Sequence, residues 1–184
     1  MNKIRLNSPF FETDIARLRA GDRVLLFGVI FAARDAAHHR FGEALMQGEA
    51  LPIELRGATI YYMGPSPTPP GTIIGACGPT TSSRMDRYTP MLLDCGLRAM
   101  IGKGERSTQA KKAIMEHKAV YFVTLGGAGA LLSRRVKKCE VAAYSELGAE
   151  AVLKLEVDGF PAIVAIDCHG NDIFETGRTA YRRN

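Results

Sequence analysis

The sequence predicts one α/β domain, in which buried strands alternate with helices. Residues 24–31 form an almost unbroken apolar run, which is typical of a strand buried on both faces of a sheet. A helix is expected directly after it, over residues 36–46. The 184 residues are 46% hydrophobic and 23% charged, which is a globular composition with enough material for a real core. We therefore expect residues 1–184 to fold as a single domain.

Strands are predicted wherever an apolar, β-branched or aromatic run is bounded by glycine, proline or polar residues. In chain order these runs cover residues 24–31, 58–63, 72–77, 97–101, 120–125, 139–143, 153–157 and 162–168. Residues 169–172 carry a turn signal, so residues 163–174 are expected to form a hairpin. Residues 1–13 are expected to form an extended arm.

Helices are predicted at residues 15–18, 36–46, 85–93 and 107–118. In the third of these segments apolar residues recur at positions 85, 88, 91 and 92, and Ser107 is a plausible N-cap of the fourth. Residues 145–148 read as a helical or turn segment. The glycines of residues 126–130 do not fit the dinucleotide frame GxGxxG, so a tight turn under a ligand or a partner subunit is favoured over a nucleotide site.

Charge and cysteine usage exclude several classes of function. The net charge is +5, but the basic clusters at residues 134–138 and 178–183 lack interleaved aromatic side chains, so no nucleic-acid partner is expected. The four cysteines stand far apart and match no zinc spacing, so we predict reduced thiols and no metal site in this chain. No apolar run is long enough to span a membrane and the first residues are polar, which predicts a cytoplasmic protein.

Residues 78–86 are the most informative stretch for function. They lie between an expected strand and an expected helix, where backbone N–H groups and the helix dipole favour anions. The stretch carries Thr80, Thr81 and Arg84, and a guanidinium can bind a carboxylate or phosphate through two N–H groups. The alternative is that one hydroxyl only caps the helix, which leaves Arg84 unexplained.

Arg34 and Asp35 follow the strand of residues 24–31 directly. In α/β proteins ligands bind outside the carboxyl ends of the strands, so Arg34 is a second candidate for an anion site. The alternative is a structural ion pair of Arg34 with Asp35 or another carboxylate. His38 and His39 are expected on the helix surface or behind the site rather than as metal ligands, because adjacent helical side chains point in different directions.

Lys103 stands between two glycines at the end of a third strand, where the backbone can approach a ligand closely and the lysine supplies a point charge. A solvated turn lysine is the alternative. Taken together, the strand ends carry three positive charges and two hydroxyls, which suits a small dianionic substrate. The set lacks an electrophile, so chemistry on the anion would require a metal or cofactor from elsewhere.

Three motifs give this sequence a family resemblance. They are Gly-Pro-Thr-Thr-x-x-Arg-Met at residues 78–85, Arg-Asp-x-x-His at residues 34–38 and Gly-Lys-Gly at residues 102–104. With residues 146–151, 160–162 and 167–171, they resemble the β subunit of two-subunit, iron–sulfur-dependent class I fumarases and L(+)-tartrate dehydratases. The same region forms the C-terminal domain of single-chain class I fumarases.

The resemblance implies a swivelling β/β/α domain with a mixed sheet and flanking helices. It also implies a hetero-oligomer with an α subunit whose 4Fe–4S cluster, held by three cysteines, leaves one iron open as a Lewis acid. The active site would lie between the two subunits, and the β chain in isolation could form a homodimer. The residues expected to contact the dicarboxylate are Arg34, Thr80, Thr81, Arg84 and Lys103, with Thr80 as the candidate for proton transfer and Asp35 and His38 behind them.

The expected reaction is the reversible hydration of fumarate to L-malate. The Arg-Asp-Ala-Ala-His stretch resembles the fumarase branch, whereas Ser82 is shared with the tartrate branch, so tartrate remains an alternative and so does mesaconate. A non-catalytic anion-binding domain on the same fold is the rival from another class, because fold alone does not fix function.

Overall fold

The computed structural model describes residues 3–181, and the side chains of residues 3–177. Its strands are β1 (Ile4–Ser8), β2 (Arg23–Ala32), β3 (Thr59–Tyr61), β4 (Ala99–Gly102), β5 (Val120–Val123), β6 (Val136–Ala143) and β7 (Val152–Ile166). Its α-helices are α1 (Glu12–Ala16), α2 (Asp35–Met46), α3 (Thr89–Asp94), α4 (Thr108–Glu116), α5 (Gly129–Ser133) and α6 (Ile173–Tyr181). Two 3-10 helices cover Ser82–Tyr88 and Ser145–Glu150.

The seven strands form one mixed sheet that closes on itself. β2, β3, β4 and β5 run parallel to one another, and β7 returns antiparallel between β5 and β2. These five strands therefore make a ring, while β1 pairs with β2 and β6 pairs with β7. Because the carboxyl ends of β2, β3 and β4 lie at the same edge, the segments that follow them are brought together.

The core has two parts, one on each face of the strands. Tyr61, Phe122 and Phe160 belong to the cluster that fills the ring. Their strand neighbours Tyr62 and Tyr121 point the other way, into the cluster that packs against α2, α3 and α4. This alternation follows from the period of two along a strand, and it places Tyr62 and Tyr121 directly beneath the segments at the strand ends.

The α/β class, the strand at residues 24–31 and the helices at residues 36–46 and 107–118 are confirmed. Ser107 caps α4 as expected, since its hydroxyl accepts a hydrogen bond from the amide of Ala110 at 3.2 Å. The segment at residues 85–93 is helical, but it begins as the 3-10 helix Ser82–Tyr88 and becomes α-helical only at Thr89. The arm at residues 1–13 contains β1 and the start of α1 within its described part.

One predicted strand and two predicted connections are wrong. Residues 72–77 form no strand; Ile74 and Cys77 are buried, so their apolar character reflects a buried loop. Residues 153–157 and 162–168 belong to a single strand, β7, because the backbone continues through Pro161 without a turn. The expected hairpin at residues 163–174 is replaced by a turn that leads into α6, with only one isolated bridge from Ile166 to Asp172.

The basic cluster at residues 178–183 lies outside the described side chains. Within the described residues, no helix has the length and apolar character needed to cross a membrane.

Candidate functional site

The candidate site lies at the edge where the parallel strands end. Arg34 follows β2, and Lys103 follows β4. Residues 80 and 81 are inserted between them by main-chain hydrogen bonds: the amide of Thr80 donates to the carbonyl of Tyr62 at 2.8 Å, and the amide of Lys103 donates to the carbonyl of Thr80 at 3.2 Å. The structure thus brings the candidate segments of the sequence onto one edge.

The pairing of the threonine segment with β4 depends on Gly102. Thr81 and Lys103 form a parallel bridge, and the amide of Ser82 donates to the carbonyl of Lys103 at 3.0 Å. A Cβ on Gly102 would lie only 1.9 Å from the hydroxyl oxygen of Ser82. The glycine therefore provides close approach, but to Ser82 rather than to a ligand.

Arg84 and Arg34 are linked through one carboxylate. Oδ2 of Asp35 lies 3.2 Å from Nη2 of Arg84 and 3.2 Å from Nε of Arg34. The same Nη2 of Arg84 donates to the hydroxyl of Thr80. The ion pair of Arg34 with Asp35, which was the structural alternative, is thus present. It is part of a continuous line of contacts along the edge: the main chain of Lys103 bonds to Thr80, and side-chain contacts continue from Thr80 through Arg84 and Asp35 to Arg34.

The alternative interpretation of the motif, a hydroxyl that only caps the helix, is not seen at the N-cap residue. Thr81 is the N-cap residue of the 3-10 helix Ser82–Tyr88, and its side chain makes no capping hydrogen bond among the described residues. Ser82 is fully buried and accepts a hydrogen bond from the hydroxyl of Tyr121 at 2.8 Å. Thr80, Thr81 and Arg84 remain partly or fully exposed at the surface of the site.

His38 is buried behind the site, which is one of the two positions expected for it, whereas His39 is exposed on the helix surface. Nδ1 of His38 lies 2.9 Å from the carbonyl oxygen of Arg34, which can only accept, so this nitrogen carries the proton. Among the described residues no group bonds to Nε2. Burial lowers the pKa of His38 to about 4, although the bond to Arg34 opposes this shift.

A buried ion pair that the sequence did not reveal supports the motif from below. The side chain of Arg106 is fully buried, and its Nε donates to Oδ1 of Asp86 at 2.5 Å. Nη2 of Arg106 donates to the hydroxyl of Thr89 at 2.6 Å, and Oδ2 of Asp86 accepts from the amide of Ser107 at 2.5 Å. The pair therefore joins the 3-10 helix Ser82–Tyr88 and the first residue of α3 to the start of α4.

Glu150 lies within residues 146–151 of the family resemblance, but the sequence assigns it no role at the site. Its Oε1 lies 3.4 Å from Nη2 of Arg34, and its Oε2 accepts a hydrogen bond from the amide of Ala36 at 2.8 Å. Nothing local in the sequence signals this contact, because residues 36 and 150 are 114 positions apart.

The cysteines of this chain do not form a cluster site. Cys77 is buried, and burial raises the pKa of its thiol to about 12; Cys95, by contrast, is exposed. All four thiols are free, and no group of three or more metal-binding side chains occurs in the part of the chain that is described. The residues present therefore do not fit an iron–sulfur cluster held by this chain itself.

The chain is a mixed α/β domain with a closed ring of strands, and the strand ends carry arginine, threonine and lysine side chains of the kind that suit an anion. Residues 1–177 match the family model described as Fumarase C-terminus. This chain belongs to that family.

Several named relatives share about two fifths of their residues with this chain over the matched region. The anaerobic class I fumarate hydratase of Escherichia coli K12 is 39% identical over 177 residues, which is 94% of this chain and 32% of that protein. Fumarate hydratase 2 of Leishmania major is 38% identical over 94% of this chain and 31% of its own length. This chain thus spans about a third of the length of these relatives.

One relative is similar to this chain in length as well. A protein of Methanocaldococcus jannaschii, provisionally named L(+)-tartrate dehydratase subunit beta, is 39% identical over 170 residues. The match covers 89% of this chain and 87% of that protein.

Proposed function

We propose that this chain is the β subunit of a hydro-lyase, which supplies the carboxylate-binding residues for the reversible hydration of fumarate to L-malate. The observation that carries the proposal is the continuous line of Lys103, Thr80, Arg84 and Arg34 along one sheet edge, in a member of the Fumarase C-terminus family. Fumarate carries two carboxylates, and guanidinium groups are well suited to bind carboxylates through paired N–H groups.

The geometry suggests a role for each residue. Arg34 and Arg84 bind the carboxylates, Lys103 adds a positive charge, and Thr81 donates a hydrogen bond. Thr80 is proposed as the proton-transfer residue, because Arg84 donates to its hydroxyl oxygen and leaves the hydroxyl proton directed elsewhere. A neighbouring guanidinium also stabilises the negative charge that develops on that oxygen when the proton leaves.

The reaction centre is proposed to be shared with an α subunit. Because the described side chains of this chain hold no cluster site, we assign the 4Fe–4S cluster to that partner. We further propose that residues 1–184 form a single swivelling β/β/α domain, that the native enzyme is a cytoplasmic hetero-oligomer and that the isolated chain could form a homodimer.

A second candidate substrate is L(+)-tartrate. It is favoured by the relative from Methanocaldococcus jannaschii, which is named as a tartrate dehydratase subunit and which this chain covers over 87% of its length. Fumarate, tartrate and mesaconate differ by hydroxyl or methyl groups, and few contacts decide between them.

The test is fumarate hydration by the purified chain, alone and after anaerobic mixing with the reconstituted iron–sulfur α subunit. Activity is expected only in the mixture. Thr80→Val keeps the shape of the side chain without the hydroxyl, and it should lower kcat by about 10²–10⁴-fold. Thr108→Val, at the exposed first turn of α4, is the matched control and should leave kcat unchanged.

Each alternative outcome has a distinct meaning. A mixture that dehydrates tartrate and does not hydrate fumarate would transfer the assignment to tartrate dehydratase. A stable complex that binds dicarboxylates without turning over either substrate would identify a non-catalytic anion-binding domain and refute the proposal.

A further inference from the structure

The segment before β7 lies beside Arg34 because of the register between β2 and β7. These strands pair antiparallel, and Ala32 at the end of β2 is opposite Leu153 near the start of β7. The chain that leaves β2 therefore passes the chain that enters β7. Residues 149 and 150 reach the site from this direction, although nothing in the strand-end pattern of the sequence points to them.

Local backbone geometry turns Glu150 toward the site. Gly148 adopts φ 56° and ψ −118°, which breaks the 3-10 helix Ser145–Glu150 and is a conformation that side chains other than glycine rarely adopt. The ring of Tyr144 packs against Phe41 of α2 with centroids 5.9 Å apart. The segment is thus fixed along α2, and the turn at Gly148 delivers Glu150 to the start of that helix.

The Glu150 carboxylate makes two contacts there. Oε2 accepts from the amide of Ala36 at 2.8 Å, while Oε1 lies 3.4 Å from Nη2 of Arg34. The N-cap residue of α2, Arg34, provides no side-chain cap, so the carboxylate takes that role from a distant part of the chain. A negative charge at a helix N-terminus is also favoured by the helix dipole.

The aliphatic stem of Arg34 is confined on a further side. A Cβ placed on Gly64 would lie 2.7 Å from the carbonyl oxygen of Ala149 and 3.1 Å from Cδ of Arg34. The stem therefore runs close to the backbone at Gly64, which itself faces Ala149. Packing at the stem and a carboxylate at the guanidinium together leave the side chain little freedom.

We propose that Glu150 is a positioning residue for Arg34: its carboxylate holds the guanidinium at the strand edge and simultaneously caps α2. The inference rests on the proposed function, in which Arg34 binds a substrate carboxylate. Pre-ordering of that guanidinium reduces the conformational entropy lost when the dicarboxylate binds. Glu150 should therefore affect substrate affinity more strongly than the chemical step.

The test compares Glu150→Ala, Glu150→Gln and the control Glu146→Ala. Glu146 lies in the same 3-10 helix and pairs with the exposed Arg40 at 3.0 Å, away from the strand edge. In the complex with the α subunit, Glu150→Ala should raise the KM for fumarate about 10- to 100-fold, because a hydrogen bond to a charged group is lost. Its kcat should stay within about threefold, since the residue touches no reacting atom.

Glu150→Gln separates capping from charge. Its amide oxygen can still accept from Ala36 but carries no charge, so its KM should lie between those of wild type and Glu150→Ala. Amide hydrogen exchange at Ala36 should accelerate in Glu150→Ala and stay slow in Glu150→Gln. Glu146→Ala should match wild type in every one of these measurements.

A second readout does not depend on activity. In ¹⁵N spectra of the purified chain, assigned with Arg34→Lys, the Nη2–H signal of Arg34 should be ordered in wild type and averaged in Glu150→Ala, because Glu150 contacts Nη2 whereas Asp35 contacts Nε. An unchanged signal, or a KM for Glu150→Ala equal to that of Glu146→Ala, overturns the inference. Wild-type complex without hydratase activity refutes only the proposed function, because the Arg34 signal still decides whether Glu150 positions it.

Discussion

The buried histidine beneath the site makes the stability of the fold depend on pH. His38 is fully buried, and its Nδ1–H bonds the carbonyl of Arg34. Its pKa falls from an ordinary 6.5 to about 4 in the folded chain, chiefly because burial disfavours the charged ring. Below pH 6.5 the unfolded chain therefore binds a proton that the folded chain does not bind until near pH 4, so stability decreases as the pH falls through this window.

The size of the effect follows from the two pKa values. At pH 8 both states hold a neutral ring and the contribution is nil. At pH 5 the proton is bound in the unfolded state and mostly absent in the folded state, which lowers the free energy of unfolding by about 2 kcal/mol. Near pH 4 and below, the loss approaches about 3 kcal/mol.

The assay is urea unfolding of wild type, His38→Asn and His39→Asn at pH 8, 7, 6 and 5. Asparagine keeps a neutral donor near the Arg34 carbonyl but cannot titrate. His38→Asn should be less stable than wild type at pH 8, and this gap should shrink by about 2 kcal/mol at pH 5. His39→Asn, on the exposed face of the same helix, should follow wild type throughout. A gap for His38→Asn that is constant between pH 8 and pH 5 would show that the ring is not kept neutral by the fold.

Two further predictions concern the support of the motif. Arg106→Met leaves the carboxylate of Asp86 buried without its cation, so it should lower the free energy of unfolding by about 3–5 kcal/mol. The control Arg87→Met, at an exposed position, should lower it by less than about 1 kcal/mol. Urea unfolding measures both values. Gly102→Ala places a Cβ 1.9 Å from the Ser82 hydroxyl and should lower the melting temperature. Adding Ser82→Ala should restore part of the loss. Equal melting temperatures for wild type and Gly102→Ala would contradict the close packing.

The parts of the fold that sequence reasoning predicted are those that depend on local pattern. β2, α2 and the Ser107 cap of α4 each follow from a run of neighbouring residues. The closure of the ring could not be predicted, because it depends on the pairing of β2 with β7, which joins residues such as Ala32 and Leu153. The loop at residues 72–77 has the apolar composition of a strand because it is buried, and burial makes a segment apolar whatever its backbone pairing.

The residues of the candidate site show the same contrast between local sequence pattern and long-range contact. The position of Arg34 and Lys103 at one edge is predictable because each follows a strand, and parallel strands bring their ends together. Glu150 and Arg106 were not found, since each acts through a contact with a sequence-distant partner and neither lies at the end of a recognisable strand. Side chains at strand ends are thus easier to predict from the sequence than the side chains that hold them in place.

Pairing with carboxylates does not prevent the two arginines from binding an anion. Asp35 contacts Arg34 through Nε and Arg84 through Nη2, and Glu150 contacts Arg34 through Nη2. A guanidinium has further N–H groups, so each arginine retains donors for a ligand while its orientation is set by the protein. The two carboxylates also offset the charges of the two arginines. The charge of Lys103 is the one in this group that they do not offset. Under the proposed function, binding of the dicarboxylate at this edge would therefore depend more on the direction of fixed donors than on an excess of positive charge.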